Sequence, residues 1–260
     1  MSSAEELQKK LAVDVHSEQS ALFAQRYEEI KKDPYQNCFV YSRKRLNMWL
    51  DRFLPERAEG KKMLDVGCGT GYHLARYRGR GFDISGVDGS ADMLEQARQI
   101  NPDIEFKQSD VDNLPYESES FDYVLCIEVL RYLPDINPCV REIHRVLKPG
   151  GVALITAAPL FQSNFYYPVN RIVASMKSSK LTSLKQFFHT HGELDKASKT
   201  AGFADVKIHG VYSGPWIWVE RLAPSVMPPL LRSWDAVDDK LADAPVFRHL
   251  SNMFLVYARK

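Results

Sequence analysis

Residues 63–71 read MLDVGCGTG, an apolar run of strand character that enters three glycines within five residues and leaves into the helix-compatible stretch YHLARY. A backbone that turns this sharply from strand to helix needs glycine for the turn, and it offers the unpaired N–H groups of the new helix to a ligand. Such a unit opens an α/β sheet and excludes an all-helical bundle or a β-sandwich. The spacing is Gly67-x-Gly69-x-Gly71, and Tyr72 stands where a dinucleotide-binding GxGxxG would need its last glycine. Asp65 precedes the turn. A carboxylate there disfavours a pyrophosphate and suits a ligand that carries an ammonium and a sulfonium, as S-adenosylmethionine does. A plain tight turn with Asp65 as a satisfied polar residue is the bland alternative.

From Lys61 onward short apolar strands at 62–66, 83–88, 103–107, 121–127 and 151–157 alternate with helical patterns at 71–78, 90–100 and 137–147. That alternation predicts a parallel sheet covered on both faces. Ser90 is a good N-cap, with Met93, Leu94, Ala97 and Ile100 as the inward face of the helix it starts. Val140, Ile143, Val146 and Leu147 face inward on the next helix, which Pro149-Gly150-Gly151 should stop. Residues 1–58 read as helical: Leu7, Leu11 and Val15 mark one stripe, and Leu46, Trp49, Leu50 and Phe53 mark another after Pro34. Between the two lies an aromatic joint, DPYQNCFVYSR. Towards the C-terminus come a short helix at 193–201, a strand at 204–212, a proline-rich helical insertion at 214–248 and a last strand at 253–258.

Two further carboxylates fall after predicted strands. Asp88 ends the second, where an acidic residue accepts hydrogen bonds from ribose hydroxyls, with Gly89 beside it. Asp110 follows the third and can accept from an adenine amino group, while the Val111 N–H faces a ring nitrogen and Met93 supplies an apolar surface. Asp112 competes with Asp110 for that role, and simple solvation is the bland reading of either. With Cys68 in the loop and Ile127 at the end of the fourth strand, these residues complete a cofactor set.

The blocks MLDVGCGTGYH, GVDGSADMLEQA, QSDVDNLPYESESFDYVLC and REIHRVLKPGGVALIT stand in an order and spacing that resemble the class I methyltransferase core, specifically its small-molecule branch of ubiquinone and menaquinone biosynthesis enzymes. The resemblance covers about 100 residues, 61–157. It implies a Rossmann-like, doubly wound, mostly parallel seven-stranded sheet of order 3-2-1-4-5-7-6, and S-adenosylmethionine as methyl donor, leaving as S-adenosylhomocysteine. It further implies a helical lid over residues 1–58, a methyltransferase domain over 59–260, and variable acceptor-side segments at 159–200 and 214–248. In that lid Tyr27, Tyr41 and Arg43 are candidates to face the pocket, with Arg43 reaching the methionine carboxylate. Core aromatics and a surface arginine are the bland readings.

Methyl transfer needs alignment more than a covalent catalyst, so no single catalytic residue is obligatory. Arg131 and Tyr132 follow the fourth strand at the expected mouth, and Arg131 either receives an acidic acceptor or makes an ion pair. His189 is the candidate base, with His191 as its neighbour, although a loop histidine is more often solvated or structural. No metal site is expected. The net charge is +1, from 34 basic and 33 acidic residues, so bulk attraction to nucleic acid is absent. Four cysteines without CxxC spacing, a polar start and no long apolar run predict a cytoplasmic chain with free thiols and no membrane span. The expected partner is a small organic acceptor: a quinone precursor, sugar, lipid-like molecule or secondary metabolite. The expected state is a monomer or homodimer. The stretch GPWIWVERLAPSVMPPLL, 214–231, is a candidate acceptor wall, dimer face or peripheral membrane contact. The rival readings are a nucleic-acid or protein methyltransferase, a nicotinamide-dependent oxidoreductase, and a non-catalytic cofactor-binding protein.

Overall fold

The computed structural model describes residues 3–30, 32–164 and 184–260. Three helices come first: α1 (Ser3–Glu18), α2 (Ser20–Ile30) and α3 (Cys38–Phe53). The alternating core follows as β1 (Lys62–Val66), α4 (Tyr72–Tyr77), β2 (Asp83–Asp88), α5 (Ala91–Ile100), β3 (Glu105–Gln108), β4 (Phe121–Cys126), α6 (Asn137–Val146) and β5 (Leu147–Ala157). The chain closes with α7 (His191–Ala201), β6 (Asp205–Gly210), α8 (Trp216–Leu222), α9 (Met227–Leu241) and β7 (Phe254–Arg259).

The strands form one seven-stranded sheet of order β3-β2-β1-β4-β5-β7-β6, parallel except for β7, which runs antiparallel to both neighbours. Alternating side chains feed two separate cores. Met63, Leu125 and Leu154 point to one face, and Leu64, Val124 and Ile155 to the other. That period-two division is why the strands are apolar on both sides. The Rossmann-like fold expected from the sequence is present.

Several local expectations change. The helix α6 ends at Val146, before Pro149, because Leu147 already pairs with Phe121 of β4. Pro149-Gly150-Gly151 instead interrupts that strand pairing, with Gly150 at φ +77° and the register resuming at Tyr123 opposite Val152. On α5, Met93, Leu94 and Ala97 are buried, but Ile100 is exposed, since it ends the helix beside the edge strand β3. On α1 the buried residues are Ala12 and Val15, whereas Leu7 is exposed. The aromatic joint is not a loop throughout: Asn37 caps α3, its side chain accepting from the Val40 N–H at 2.9 Å, so Phe39, Tyr41 and Arg43 are helical.

The helix α3 belongs to the main core rather than to a detachable cover. Leu46, Trp49 and Leu50 pack in the same cluster as Met63 and Met253. Tyr41 donates its hydroxyl to buried Asp238 on α9 at 2.8 Å, which also accepts from the Ser213 N–H and hydroxyl. Arg45, buried, reaches Asp235 and Asp239 on the same helix at 3.3 Å each. This network joins the N-terminal segment to the insertion before β7 and takes Tyr41 away from any ligand. The side chain of Tyr27 lies outside the described residues.

Candidate active site

A cavity of about 690 Å³ opens at the carboxyl ends of β1, β2 and β4, roofed by α1 and by Phe23 of α2. Its size falls within the range of small-molecule sites, and its place beside the β1–β4 switch in strand order is where open α/β sheets bind ligands. Gly67, Cys68, Gly69 and Thr70 form its floor. The Gly67 and Cys68 N–H groups are tied to the Val87 carbonyl at 2.7 and 3.0 Å, which clamps the loop onto β2. Gly67 has φ +71°, and a Cβ there would meet Val129 Cγ2 at 2.3 Å. Gly71 faces elsewhere: a Cβ on it would strike Asn101 of α5 at 2.7 Å, so it shapes the turn and does not line the cavity.

Asp88 lines the cavity and accepts from the Gly69 N–H at 2.9 Å and from the Ser90 N–H at 2.8 Å. Burial raises its pKa, while the N–H groups of Ser90 and Gly69 oppose the rise. Asp65 does not reach the wall. It is buried behind the loop, neither carboxylate oxygen has a hydrogen-bond partner among the described residues, and burial with Asp88 nearby pushes its pKa well up. A carboxylate so placed is costly unless a cation compensates it. That orphaned acid behind a glycine cradle fits a cationic ligand.

Met93, Gly89, Asp110, Val111 and Ile127 all line the cavity, and Asp112 does not. Asp112 turns to Lys9 of α1, whose ammonium also lies 3.3 Å from Asp110. Ser17 of α1 shares a hydrogen bond with Ser90, the N-cap of α5, at 2.6 Å. These contacts hold α1 across the site.

At the far side Glu128 occupies a left-handed backbone conformation, φ +64°, with its N–H donating to Thr156 Oγ1 at 2.6 Å. A non-glycine residue there carries strain, a frequent mark of functional positions. Its carboxylate pairs with Arg131 and, at 3.2 Å, with Arg43. Although burial opposes it, Arg131 and then Arg43 hold the Glu128 pKa down at about 2. Arg43 lies over the Phe39 ring at 5.2 Å. Tyr132 packs edge-on against His16 at 4.7 Å. Arg43, Arg131 and Tyr132 are all on the wall, as the sequence suggests.

His189 is not on the wall. Its backbone bridges to Pro159, which turns the buried ring towards the Leu130 carbonyl, 3.5 Å from Nε2. His191 stands beside His249 and Phe254 instead. The 214–231 stretch is also off the wall: Trp216, Met227 and Leu231 are core residues, while Leu222, Val226 and Leu230 are exposed. Residues 165–183 of the 159–200 segment lie outside the described residues. The sequence reading missed His73, His16 and the aromatic wall made by Phe23 and Phe39. For His73 a signal existed, since the first turn of a helix leaving a ligand loop aims its side chains back at that loop.

This sheet order, with a glycine loop after β1 and carboxylates after β2 and β3, defines a Rossmann-like S-adenosylmethionine-dependent methyltransferase. Residues 64–155 match the methyltransferase domain family. A demethylmenaquinone methyltransferase of Staphylococcus saprophyticus is 32% identical over 188 residues, covering 64% of this chain and 81% of that protein. One from Staphylococcus aureus is 31% identical over 189 residues, covering 64% and 78%. In fold, the chain matches an S-adenosylmethionine-dependent methyltransferase of Thermotoga maritima, described as a possible histamine N-methyltransferase, with TM-score 0.63, 17% identity, and 95% and 99% of the two chains covered. It also matches a phosphoethanolamine N-methyltransferase of Haemonchus contortus bound to phosphomonomethylethanolamine and S-adenosylhomocysteine, with TM-score 0.58, 21% identity, and 84% and 52% covered. The chain belongs to the class I S-adenosylmethionine-dependent methyltransferases, and within them it resembles the quinone-biosynthesis enzymes. Among the described residues no helix is long and apolar enough to cross a membrane.

Proposed function

We propose that the protein methylates a small hydroxylated aromatic acceptor of the quinone-precursor kind. The observation that carries this reading is the cavity itself: about 690 Å³, with Phe23, Phe39 and Tyr132 on the wall and His16, Arg43 and Arg131 among them. Aromatic side chains with a few convergent polar groups suit a flat acceptor bearing an ionisable hydroxyl. The similarity to demethylmenaquinone methyltransferases points the same way.

In this reading Asp88 accepts from the ribose hydroxyls, and Asp110 with the Val111 N–H holds the adenine edge between Met93 and Ile127. Gly67, Cys68 and Gly69 carry the methionine portion, with the Asp65 carboxylate compensating its ammonium and Arg43 its carboxylate. Bound S-adenosylmethionine supplies an activated methyl on a sulfonium. The residues of this chain hold the reacting oxygen or ring carbon of the acceptor in line with it, exclude water and stabilise charge, which is sufficient for a large rate gain. The helix α1 serves as the lid, fastened through Lys9 and Ser17, and α3 stays with the 59–260 domain.

The test is a methyl-transfer screen with isotopically labelled donor over dihydroxynaphthalenes, sugars, a peptide mixture and an RNA oligonucleotide. Label in a naphthalene hydroxyl or ring carbon, located by mass spectrometry, is the expected result. Label only in peptide or RNA sinks the reading.

A further inference from the structure

His73 stands out among the cavity residues because none of the described residues satisfies it. It lies in the first turn of α4, is 5% exposed, lines the cavity, and neither Nδ1 nor Nε2 has a hydrogen-bond partner among the described residues. A buried imidazole that makes no hydrogen bond loses about 1–3 kcal/mol for each unpaired polar group. Such a group is expected to have a partner that arrives from outside the chain.

The surroundings narrow that partner. The groups whose charge acts on His73 are Arg43 of α3, Arg76 of α4 and Glu128 after β4. Arg43 and Glu128 are on the cavity wall, opposite the end where Asp88 and Asp110 stand in the proposed pose. His73 therefore sits at the methionine end, where the methyl is delivered. Burial first, and then Arg43 and Arg76, push its pKa down to about 3, so the ring stays neutral. A neutral imidazole has one N–H donor and one bare nitrogen acceptor. In that pose Arg43 faces the donor's carboxylate, and Asp65 offsets the charge of its ammonium from behind the loop.

We infer that His73 is the acceptor-binding residue of the cofactor-loop wall, taking a hydrogen bond from an acceptor hydroxyl through its bare ring nitrogen. The inference rests on the methyl-transfer reading above. It makes His73 a determinant of orientation and of selectivity for hydroxylated rings. A site built around a substrate hydroxyl discriminates strongly against the analogue that lacks it.

Two measurements test it. In the first, the side-chain ¹⁵N shifts of His73 in the protein saturated with S-adenosylhomocysteine are followed while 1,4-dihydroxynaphthalene is added, with naphthalene as control. A shift change with the diol and none with naphthalene is expected. An unmoved signal in the presence of saturating diol overturns the assignment, whatever the methyl-transfer screen returns. In the second, His73→Phe and His73→Asn are compared with wild type in methyl transfer to the diol and in calorimetric affinity for S-adenosylhomocysteine. His73→Phe should lower kcat/KM for the diol by about tenfold or more, a single lost hydrogen bond, with cofactor affinity within about twofold and partial recovery in His73→Asn. Equal losses in cofactor affinity and kcat/KM would make His73 a donor contact instead. If wild type transfers no methyl to the diol while the shift change is present, the acceptor class falls and the binding assignment stands.

Discussion

The Arg43 guanidinium on α3 lies 3.2 Å from the Glu128 carboxylate at the end of β4, so the N-terminal segment and the strand that ends in the cavity share one ion pair. Arg131 binds the same carboxylate from the next turn. The three side chains line the wall together. Their charges are thus set against one another before any ligand enters.

Glu128→Gln removes the carboxylate from two arginines, one of them buried. Breaking such a pair from one side should cost about 3 kcal/mol in stability. The pH dependence has a definite sign. The folded pKa, about 2, is depressed below the ordinary 4.5, so this stabilisation is complete above the ordinary value and disappears as pH falls towards 2. Chemical denaturation of both proteins across that acid range should show their difference shrinking as pH drops. A difference that is constant with pH would refute the ion-pair account.

Asp65→Asn should move stability and cofactor affinity in opposite directions. The carboxyl is buried with no hydrogen-bond partner among the described residues, and its folded pKa is raised above the ordinary 3.8. A raised acid binds its proton more tightly in the folded state, so stability from this group is greatest below the ordinary value and declines as pH rises through the interval above it. The ligand-free variant should therefore melt higher than wild type at neutral pH, with the gap closing in acid. Its affinity for S-adenosylmethionine should fall. A lower melting temperature at neutral pH would count against the uncompensated-charge reading.

Asp88→Ala removes the acceptor of the Gly69 N–H as well as the proposed ribose contact. Hydrogen bonds to a charged group contribute about 1.5–3 kcal/mol each, so affinity should drop by at least about tenfold. Calorimetry with S-adenosylmethionine and with its demethylated product should show comparable losses, since both carry the ribose. Unchanged affinity in a folded variant refutes the ribose assignment.

Gly67→Ala introduces a methyl 2.3 Å from Val129 Cγ2 at a backbone φ of +71°. Clash and left-handed strain are separate costs, the second of them about 1–2 kcal/mol. Adding Val129→Ala should relieve the clash alone. Thermal unfolding of the double variant is expected to fall between the single Gly67→Ala variant and wild type. Full recovery would mean that the loop conformation carries no strain.

The fold was legible because each signal was local. Strand and helix alternation, the Gly67-x-Gly69-x-Gly71 turn, and Asp88 and Asp110 after their strands are all set by near neighbours in the chain. Propensity, turn chemistry and burial agree there, and the cavity meets Gly67, Gly69, Asp88 and Asp110 as expected. What the linear text left open depends on segments distant in sequence. Whether Tyr41 faced a ligand or Asp238 turned on the docking of α3 against α9, 197 residues away. Phe39 and Arg43 stood in an aromatic joint between two helical patterns until Asn37 capped a helix through them. The text offered His189 as the candidate base and gave His73 only a positional signal. A backbone bridge at Pro159 turns one towards Leu130, whereas the helix leaving the glycine loop buries the other on the cavity wall with no hydrogen-bond partner among the described residues. The donor side could be read from the chain because each of its parts sits at the end of a strand, where near neighbours set the turn. The acceptor side is assembled across the fold, where side-chain direction follows from packing.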